Sequence, residues 1–149
     1  MKTRLFFAVL FISFIFLNIM PACQNRERIA LKDFPATAQS FIDEYFSLDS
    51  ISSITLDTKD KTYKVNFLNQ GEIYFNPQGL WQEVDVKRNP FPIALFDTLP
   101  AGIFSYLIST YPTKPVTILR RTTHGYEVEI GFSSKQEILF DTKGNATKK

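Results

Sequence analysis

The order of apolar and polar positions along the chain occurs twice. The segment from Phe34 to Ile42 returns as the segment from Leu99 to Leu107, displaced by 65 positions. The segment from Glu72 to Gly79 returns at the same displacement as the segment from Glu137 to Gly144. This pattern predicts a duplicated unit with one shared core, because a solenoid needs at least three copies.

Each copy begins with a helical pattern. Apolar residues recur at helical spacing in the segments 34–45 and 99–110. Asp33 and Thr98 precede these segments as candidate capping residues, and a proline follows each of them after one residue, where a first helical turn favours it. The sequence therefore predicts one amphipathic helix at the start of each copy.

The rest of each copy alternates as antiparallel strands do. In the first copy we expect strands near 53–56, 63–67, 72–75 and 80–86, and the second copy starts its strands near 116–120. The loop lengths pair Phe67 with Ile73, Phe75 with Leu80 and Tyr74 with Trp81. The predicted core face then carries Val65, Phe67, Ile73, Phe75, Leu80, Val84 and Val86. The opposite face carries Lys64, Asn66, Glu72, Tyr74, Trp81, Glu83 and Asp85.

These elements predict an α+β fold, a tandem repeat of a helix plus four antiparallel strands with the helices on one face of the sheet. The repeats span 33–86 and 97–149, and a linker at 87–96 carries prolines that stiffen it. One copy alone would be marginally stable, so we expect a single domain from 33 to 149.

Residues 1–22 have the pattern of a signal peptide. Basic Lys2 and Arg4 precede an apolar run from Leu5 to Leu17, and the small residue Ala22 ends the segment. The apolar run is shorter than the roughly 20 residues that cross a bilayer core. We therefore expect export and removal of this segment.

Cys23 directly follows the predicted signal peptide. Its position resembles that of the acylated cysteine of bacterial lipoproteins: Ala22 fits the pattern, whereas Met20 and Pro21 depart from it. We expect Cys23 to be lipidated and residues 23–32 to form a polar tether, with a free extracellular thiol as the alternative. Acyl chains are sufficient for stable membrane anchoring. The protein would then be periplasmic or on the cell surface.

Charge and composition narrow the function classes. The formal net charge of +2 equals the charge of Lys2 and Arg4, so the remaining chain is close to neutral. A nucleic-acid partner is not expected, because phosphate binding needs a basic stripe. The chain has one cysteine, so no internal disulfide can form and the core must hold the fold.

Candidate catalytic and metal-binding residues are sparse. His124 is the only histidine and precedes a glycine, as turn residues do. Glu127 and Glu129 share a strand face, where the alternatives are an acid/base pair and a solvated surface. The turn 141–144 offers one carboxylate, too few for a calcium loop. We expect no enzyme activity, no metal and no cofactor.

Tyr74 and Trp81 form the predicted binding face together with four polar neighbours. Aromatic residues among charges are typical of binding surfaces. The alternative is that a neighbouring strand or Phe91 of the linker covers them. The polar members of this candidate face are Lys64, Asn66, Glu83 and Asp85.

Several short motifs, each present twice, resemble the PepSY-like family of exported bacterial proteins. They are the helix starts Pro35-Ala36 and Pro100-Ala101 and the turns 76–79 and 141–144, with the segment 125–129 in addition. The resemblance covers the chain from about Leu31 onward. It implies a fold similar to beta-lactamase inhibitor protein and a binding or inhibitory role in the envelope, without established catalytic residues.

We therefore expect a non-enzymatic envelope lipoprotein that binds another envelope protein, as an inhibitor or a chaperone-like partner, through the open sheet face around Trp81. The membrane contact is expected through the lipid anchor alone. The alternative is a structural or small-ligand-binding component of the envelope, which an apolar pocket between the units would favour.

Overall fold

The computed structural model describes residues 25–147, so the predicted signal peptide and Cys23 lie outside the described residues. The described chain forms one antiparallel sheet in which the strands lie side by side in chain order. The predicted combination of helices with an antiparallel sheet is confirmed, with nine strands in the described part where eight were expected. The strands are β1 (Arg26–Ile29), β2 (Ile51–Asp57), β3 (Tyr63–Phe67), β4 (Glu72–Phe75), β5 (Trp81–Asp85), β6 (Val116–Thr122), β7 (Gly125–Ile130), β8 (Gln136–Asp141) and β9 (Ala146–Thr147).

Two α-helices accompany the sheet, α1 (Ala36–Tyr45) before β2 and α2 (Ala101–Thr110) before β6. Short 3₁₀ helices cover Leu31–Asp33, Leu48–Ser50 and Ile93–Thr98. Between residues 25 and 147, no helix has the length and apolar character needed to cross a membrane.

Prolines mark the helix starts, but in a different way from the prediction. Pro35 and Pro100 are themselves the N-cap residues, and neither helix start has a side-chain cap. Asp33 belongs to the preceding 3₁₀ helix, and the Thr98 hydroxyl donates to the Leu95 carbonyl oxygen at 2.8 Å. The predicted capping role of Asp33 and Thr98 is therefore wrong, because both side chains lie before the extended proline.

Strand β1 lies in the segment that was predicted to be a polar tether. It pairs antiparallel with β2, from Arg26 opposite Asp57 to Ile29 opposite Ile54. Its residues are mostly exposed, so it lacks the apolar alternation that identifies a half-buried strand in a sequence. The tether prediction is wrong for Arg26–Ile29, because strand pairing orders them.

The β3–β4 register differs from the prediction by two residues. Val65, rather than Phe67, lies opposite Ile73. The Phe67 amide donates to the Gly71 carbonyl oxygen at 2.9 Å, and Gln70 takes a positive φ of 71° in the loop. Because side chains alternate with a period of two, this shift leaves every residue of the hairpin on its predicted face.

A bulge at the start of β5 overturns the predicted position of Trp81. Phe75 lies opposite Trp81 and Tyr74 opposite Glu83, so β5 contains one extra residue. Trp81 is 4% exposed in the core, whereas Leu80 is 47% exposed, which reverses the predicted faces of both. The pairing of Tyr74 with Trp81 is therefore wrong.

The core contains apolar side chains from both helices and from the sheet. The Phe41 ring of α1 lies 5.8 Å from the ring of Phe75 and 6.1 Å from that of Trp81, and Tyr106 of α2 lies 5.6 Å from Phe140. Leu95 and Phe96 are also buried. The segment 87–96, predicted as a linker, thus ends inside the core.

Two β-turns have the same hydrogen bonds. Asn76 Oδ1 accepts from the amides of residues 78 and 80 at 3.0 and 2.9 Å. Asp141 Oδ1 accepts from the amides of residues 143 and 145, both at 2.9 Å. Gly79 and Gly144 follow with φ values of 78° and 84°, each against the proline that caps a helix.

Candidate functional site

The face of the sheet away from the core carries two rows of side chains that are polar except for Ile118, and we call it the polar face. The strand registers align each row straight across β3 to β7. The first row is Lys64, Tyr74, Glu83, Arg120 and Glu127; the second is Asn66, Glu72, Asp85, Ile118 and Glu129.

Arg120 joins the two halves of the chain in the first row. Its Nε lies 2.7 Å from Glu83 Oε2 across the β5–β6 pairing, and its Nη1 contacts Glu127 Oε1 across the β6–β7 pairing. Burial lowers the pKa of the Arg120 guanidinium, but the two carboxylates raise it more. Arg120 therefore stays charged and holds both carboxylates in place.

Lysines pair with the carboxylates of the second row. Glu72 lies between Lys64 at 3.0 Å and Lys87 at 3.4 Å, and Lys87 also contacts Asp85 Oδ2 at 2.5 Å. At the other end, Glu129 Oε1 lies 2.8 Å from Lys135 Nζ. Charge alternates along the first row from Glu83 through Arg120 to Glu127, whereas the second row is acidic and is neutralised by lysines beside it, so a partner with the complementary charges would match the face.

The pKa shifts in this network favour the charged forms. Burial of Glu72 raises its carboxyl pKa, but Lys64 and Lys87 lower it more. Burial lowers the pKa of Lys64, whereas Glu72 and Tyr74 raise it by a larger amount. Both shifts favour the charged forms of Glu72 and Lys64.

Tyr74 lies in the first row of the polar face, between Lys64 and Glu83. Its hydroxyl donates to Glu72 Oε2 at 3.3 Å, and the Lys64 ammonium lies 5.4 Å from the centre of its ring. An aromatic ring held among charges combines apolar area with a fixed orientation, and tyrosine is enriched where binding energy concentrates.

Five of the six predicted binding residues share the polar face, and Trp81 does not. Lys64, Asn66, Tyr74, Glu83 and Asp85 lie in the two rows. Arg120 was missed, although its pairing with Glu83 joins the two halves. The alternation of apolar and polar residues in β6 was the only sequence signal for the face on which Arg120 lies. Its pairing with Glu83 could be found only from the β5–β6 register.

The structure also places the residues that the sequence offered as catalytic or metal-binding candidates. His124 lies in the exposed turn between β6 and β7, as predicted. Glu127 and Glu129 do share a face, but each is paired with a cation. Within residues 25–147 no group of three or more His, Cys, Asp or Glu side chains could hold a metal ion.

An apolar groove lies beside α2, away from the polar face. It has a volume of about 280 Å³. Ile93 and Ile108, 63% and 53% exposed, lie along it, and Lys114 lies at its rim with its Nζ 3.0 Å from Gln136 Oε1. We call this the α2 groove; its aromatic lining residues are Phe91, Phe96, Phe104 and Tyr111.

Comparison with known proteins identifies a family model that covers more than half of the chain. The sequence model of a protein family described as "Putative beta-lactamase-inhibitor-like, PepSY-like" matches residues 61–148. Among proteins with curated descriptions, none matches the chain.

Three solved structures resemble this fold. A protein of the DUF2874 family from Bacteroides vulgatus, titled a "putative periplasmic protein", is 30% identical, with a TM-score of 0.74 over 85% of this chain and 97% of that one. A Bacteroides thetaiotaomicron protein, titled a "putative calcium-regulated periplasmic protein", is 32% identical, with a TM-score of 0.74 over 83% and 95%. A further B. vulgatus protein of unknown function, 24% identical with a TM-score of 0.72 over 83% and 97%, shares the fold.

Proposed function

The chain belongs to the PepSY-like family, and from this premise we propose that it is a non-enzymatic lipoprotein of the bacterial envelope that binds another envelope protein through the polar face. Relatives at 30% and 32% identity carry periplasmic descriptions, which supports an envelope location. The family description also names an inhibitor-like protein, so inhibition of the bound partner is the effect to assay first.

A lipid on Cys23 would anchor the domain close to the membrane. The proposal rests on the lipoprotein-like position of Cys23, and the start of β1 at Arg26 adds a geometric consequence. Three residues span at most about 10 Å when extended. An acylated Cys23 would therefore hold the β1 edge of the sheet near the lipid surface.

We also infer that the domain arose from two copies of one unit, with both helices on the core side of the sheet. The matching bonds of the turns at Asn76 and Asp141 support this. The contacts of Phe41 and Tyr106 with rings on the core side support the helix placement. The polar face would then be left available to a partner.

The observation that carries the binding proposal is the pair of rows that crosses five strands on the side away from the core. A partner surface docked there would meet half-buried arginine and tyrosine side chains, the residue types that dominate binding energy. Because Arg120 and Tyr74 are already held by neighbours, little side-chain entropy would be lost on binding.

The same network argues against acid/base catalysis. A general acid or base works best with a pKa near the operating pH. The shifts of Glu72 and Lys64 move both pKa values away from neutrality. A binding role fits these groups better than an enzymatic one.

The calcium regulation named for the B. thetaiotaomicron relative does not fit the described residues of this chain. Calcium takes six to eight oxygen ligands from several carboxylates together with carbonyl groups and waters. The carboxylates of Glu72, Glu83, Glu127 and Glu129 each contact a basic side chain, and residues 25–147 contain no metal-ligating cluster. The proposal therefore involves no calcium.

A second candidate function is binding of a small amphipathic ligand in the α2 groove. The groove is lined mainly by apolar side chains, and the ammonium of Lys114 lies at its rim. This arrangement suits a linear carboxylate with an apolar chain, since the chain would cover Ile93 and Ile108 while the carboxylate meets Lys114.

The first test is affinity capture from a native envelope extract with the full chain as bait. Tyr74→Ala is expected to reduce the captured partner at least about tenfold, because a tyrosine that is a hot spot at an interface is worth about 2 kcal/mol. Tyr111→Ala is the matched control, since this half-buried tyrosine lies in the α2 groove. Circular dichroism checks the fold of each bait, and mass spectrometry of the bait shows whether it is acylated.

The outcomes separate the two functions. A partner lost with Tyr74→Ala and kept with Tyr111→Ala supports binding through the polar face. A partner that is indifferent to Tyr74→Ala contradicts it. Loss with Tyr111→Ala alone moves the binding site to the α2 groove.

A further inference from the structure

Adjacent arginines point to opposite sides of β6 and have opposite surroundings. Arg120 lies opposite Glu127 on the polar face and contacts two carboxylates. Arg121 lies opposite Tyr126 on the core side and has no ion pair with any residue in the described part of the chain. One guanidinium is thus neutralised and the other is not.

Arg121 packs on the single tryptophan of the chain. Its guanidinium carbon lies 4.1 Å from the centre of the Trp81 ring. On the helix side, the Trp81 ring stacks with Phe41 at 6.1 Å. A cation over an indole ring is favourable and fixes the position of the guanidinium, so Arg121 is held in one orientation at the border of the core.

The guanidinium has an unsatisfied donor in this position. Arg121 Nε is fully buried without a hydrogen-bond partner, whereas the side chain as a whole is half-buried. Burial lowers the pKa of Arg121, and the phenol of Tyr126 opposes this to a smaller extent. A half-buried cation without a counter-ion gains when an anion approaches, because desolvation of its charge is then compensated.

We propose that Arg121 and Trp81 form a receptor for one carboxylate group, on the side of the sheet opposite the polar face. The site is separate from the polar face and does not rest on the proposed function. With Nε buried, the two Nη groups are the donors that a ligand can reach. The two Nη groups can donate in parallel to the two oxygens of a carboxylate, which is the bidentate geometry that guanidinium groups favour.

The test uses the fluorescence of Trp81, which reports on the site directly because the chain has no other tryptophan. The full chain is titrated with sodium acetate at constant ionic strength, with sodium chloride as reference and inorganic phosphate as a second arm. We expect a saturable change with acetate that is half-maximal on the order of 10 mM. Arg121→Met should weaken this response at least about tenfold.

Arg88→Met is the matched control, since Arg88 is exposed and lies away from Trp81 in the chain that follows β5. It should leave the response unchanged. If Arg121→Met fails to fold, NMR of the arginine side chains in the unmutated chain tests the site instead. Acetate should then shift the resonances of Arg121 and leave those of the other arginines unchanged.

Three results would overturn the proposal that Arg121 and Trp81 form a carboxylate receptor. The acetate response could equal that of chloride, or it could persist in a folded Arg121→Met chain. Phosphate could also bind more tightly than acetate, which would contradict the carboxylate assignment.

Discussion

Trp81→Ala is expected to lower the free energy of unfolding by about 3–5 kcal/mol, because it removes a large aromatic side chain from the core and leaves a cavity. Trp81 is 4% exposed and contacts Phe41 on α1 and Arg121 on β6. A loss of this size is a large part of the stability of an ordinary domain. Urea unfolding followed by far-UV circular dichroism measures it.

Tyr74→Ala is the comparison for this loss, since Tyr74 lies on the polar face and is only half-buried. Its cost should stay near 1 kcal/mol. A Trp81→Ala chain that loses less than about 1 kcal/mol would contradict the position of Trp81 in the core. The result also decides how binding data are interpreted, because a partner lost with Trp81→Ala would report unfolding.

Gly79→Ala and Gly144→Ala are each expected to lower the free energy of unfolding by about 2–4 kcal/mol. Both glycines have a positive φ, which costs an alanine about 1–2 kcal/mol. An added Cβ would also lie 2.7 Å from the Cβ of Pro35 or Pro100, so each turn would push on the start of a helix. Urea unfolding of the two single variants measures the effect.

Gly71→Ala is the matched control for these turns. Gly71 does not have a positive φ, and an added Cβ would lie 3.5 Å from the nearest backbone atom and 3.1 Å from the Asn69 side chain, which can move. It should cost clearly less than the other two. Equal costs at all three glycines would show that the glycine–proline contacts do not fix the helix starts.

The sequence was sufficient to predict the features that depend on the spacing of apolar residues along a helix or strand. The helices α1 and α2 and strands β2 to β5 lie where apolar spacing placed them, within a few residues. The two-residue error in the β3–β4 register moved no side chain of that hairpin to the other face, because strands repeat every two residues. Lys64, Asn66 and Tyr74 therefore kept their predicted side.

Features that depend on a single inserted residue could not be predicted in this way. The bulge opposite Phe75 moves Trp81 to the core and Leu80 to the surface. A tryptophan and a leucine are both apolar, so the alternation alone could not show which of them begins the strand. The helix contact with Phe41 favours the larger ring in the core.

Features that depend on distant pairing were also beyond the sequence. β1 has a polar sequence and becomes a strand because β2 offers it an edge. The role of Arg120 arises where β5 meets β6, since Glu83 and Glu127 lie far apart in the chain and flank it only in the folded sheet.

Photo-crosslinking in living cells tests the use of the polar face most directly. A photoreactive phenylalanine derivative replaces Tyr74 in one full-length chain and Ile108 in another, which places the same probe on the polar face or in the α2 groove. We expect a discrete crosslinked protein partner from position 74 and none from position 108. A protein crosslinked from position 108 alone would contradict this expectation.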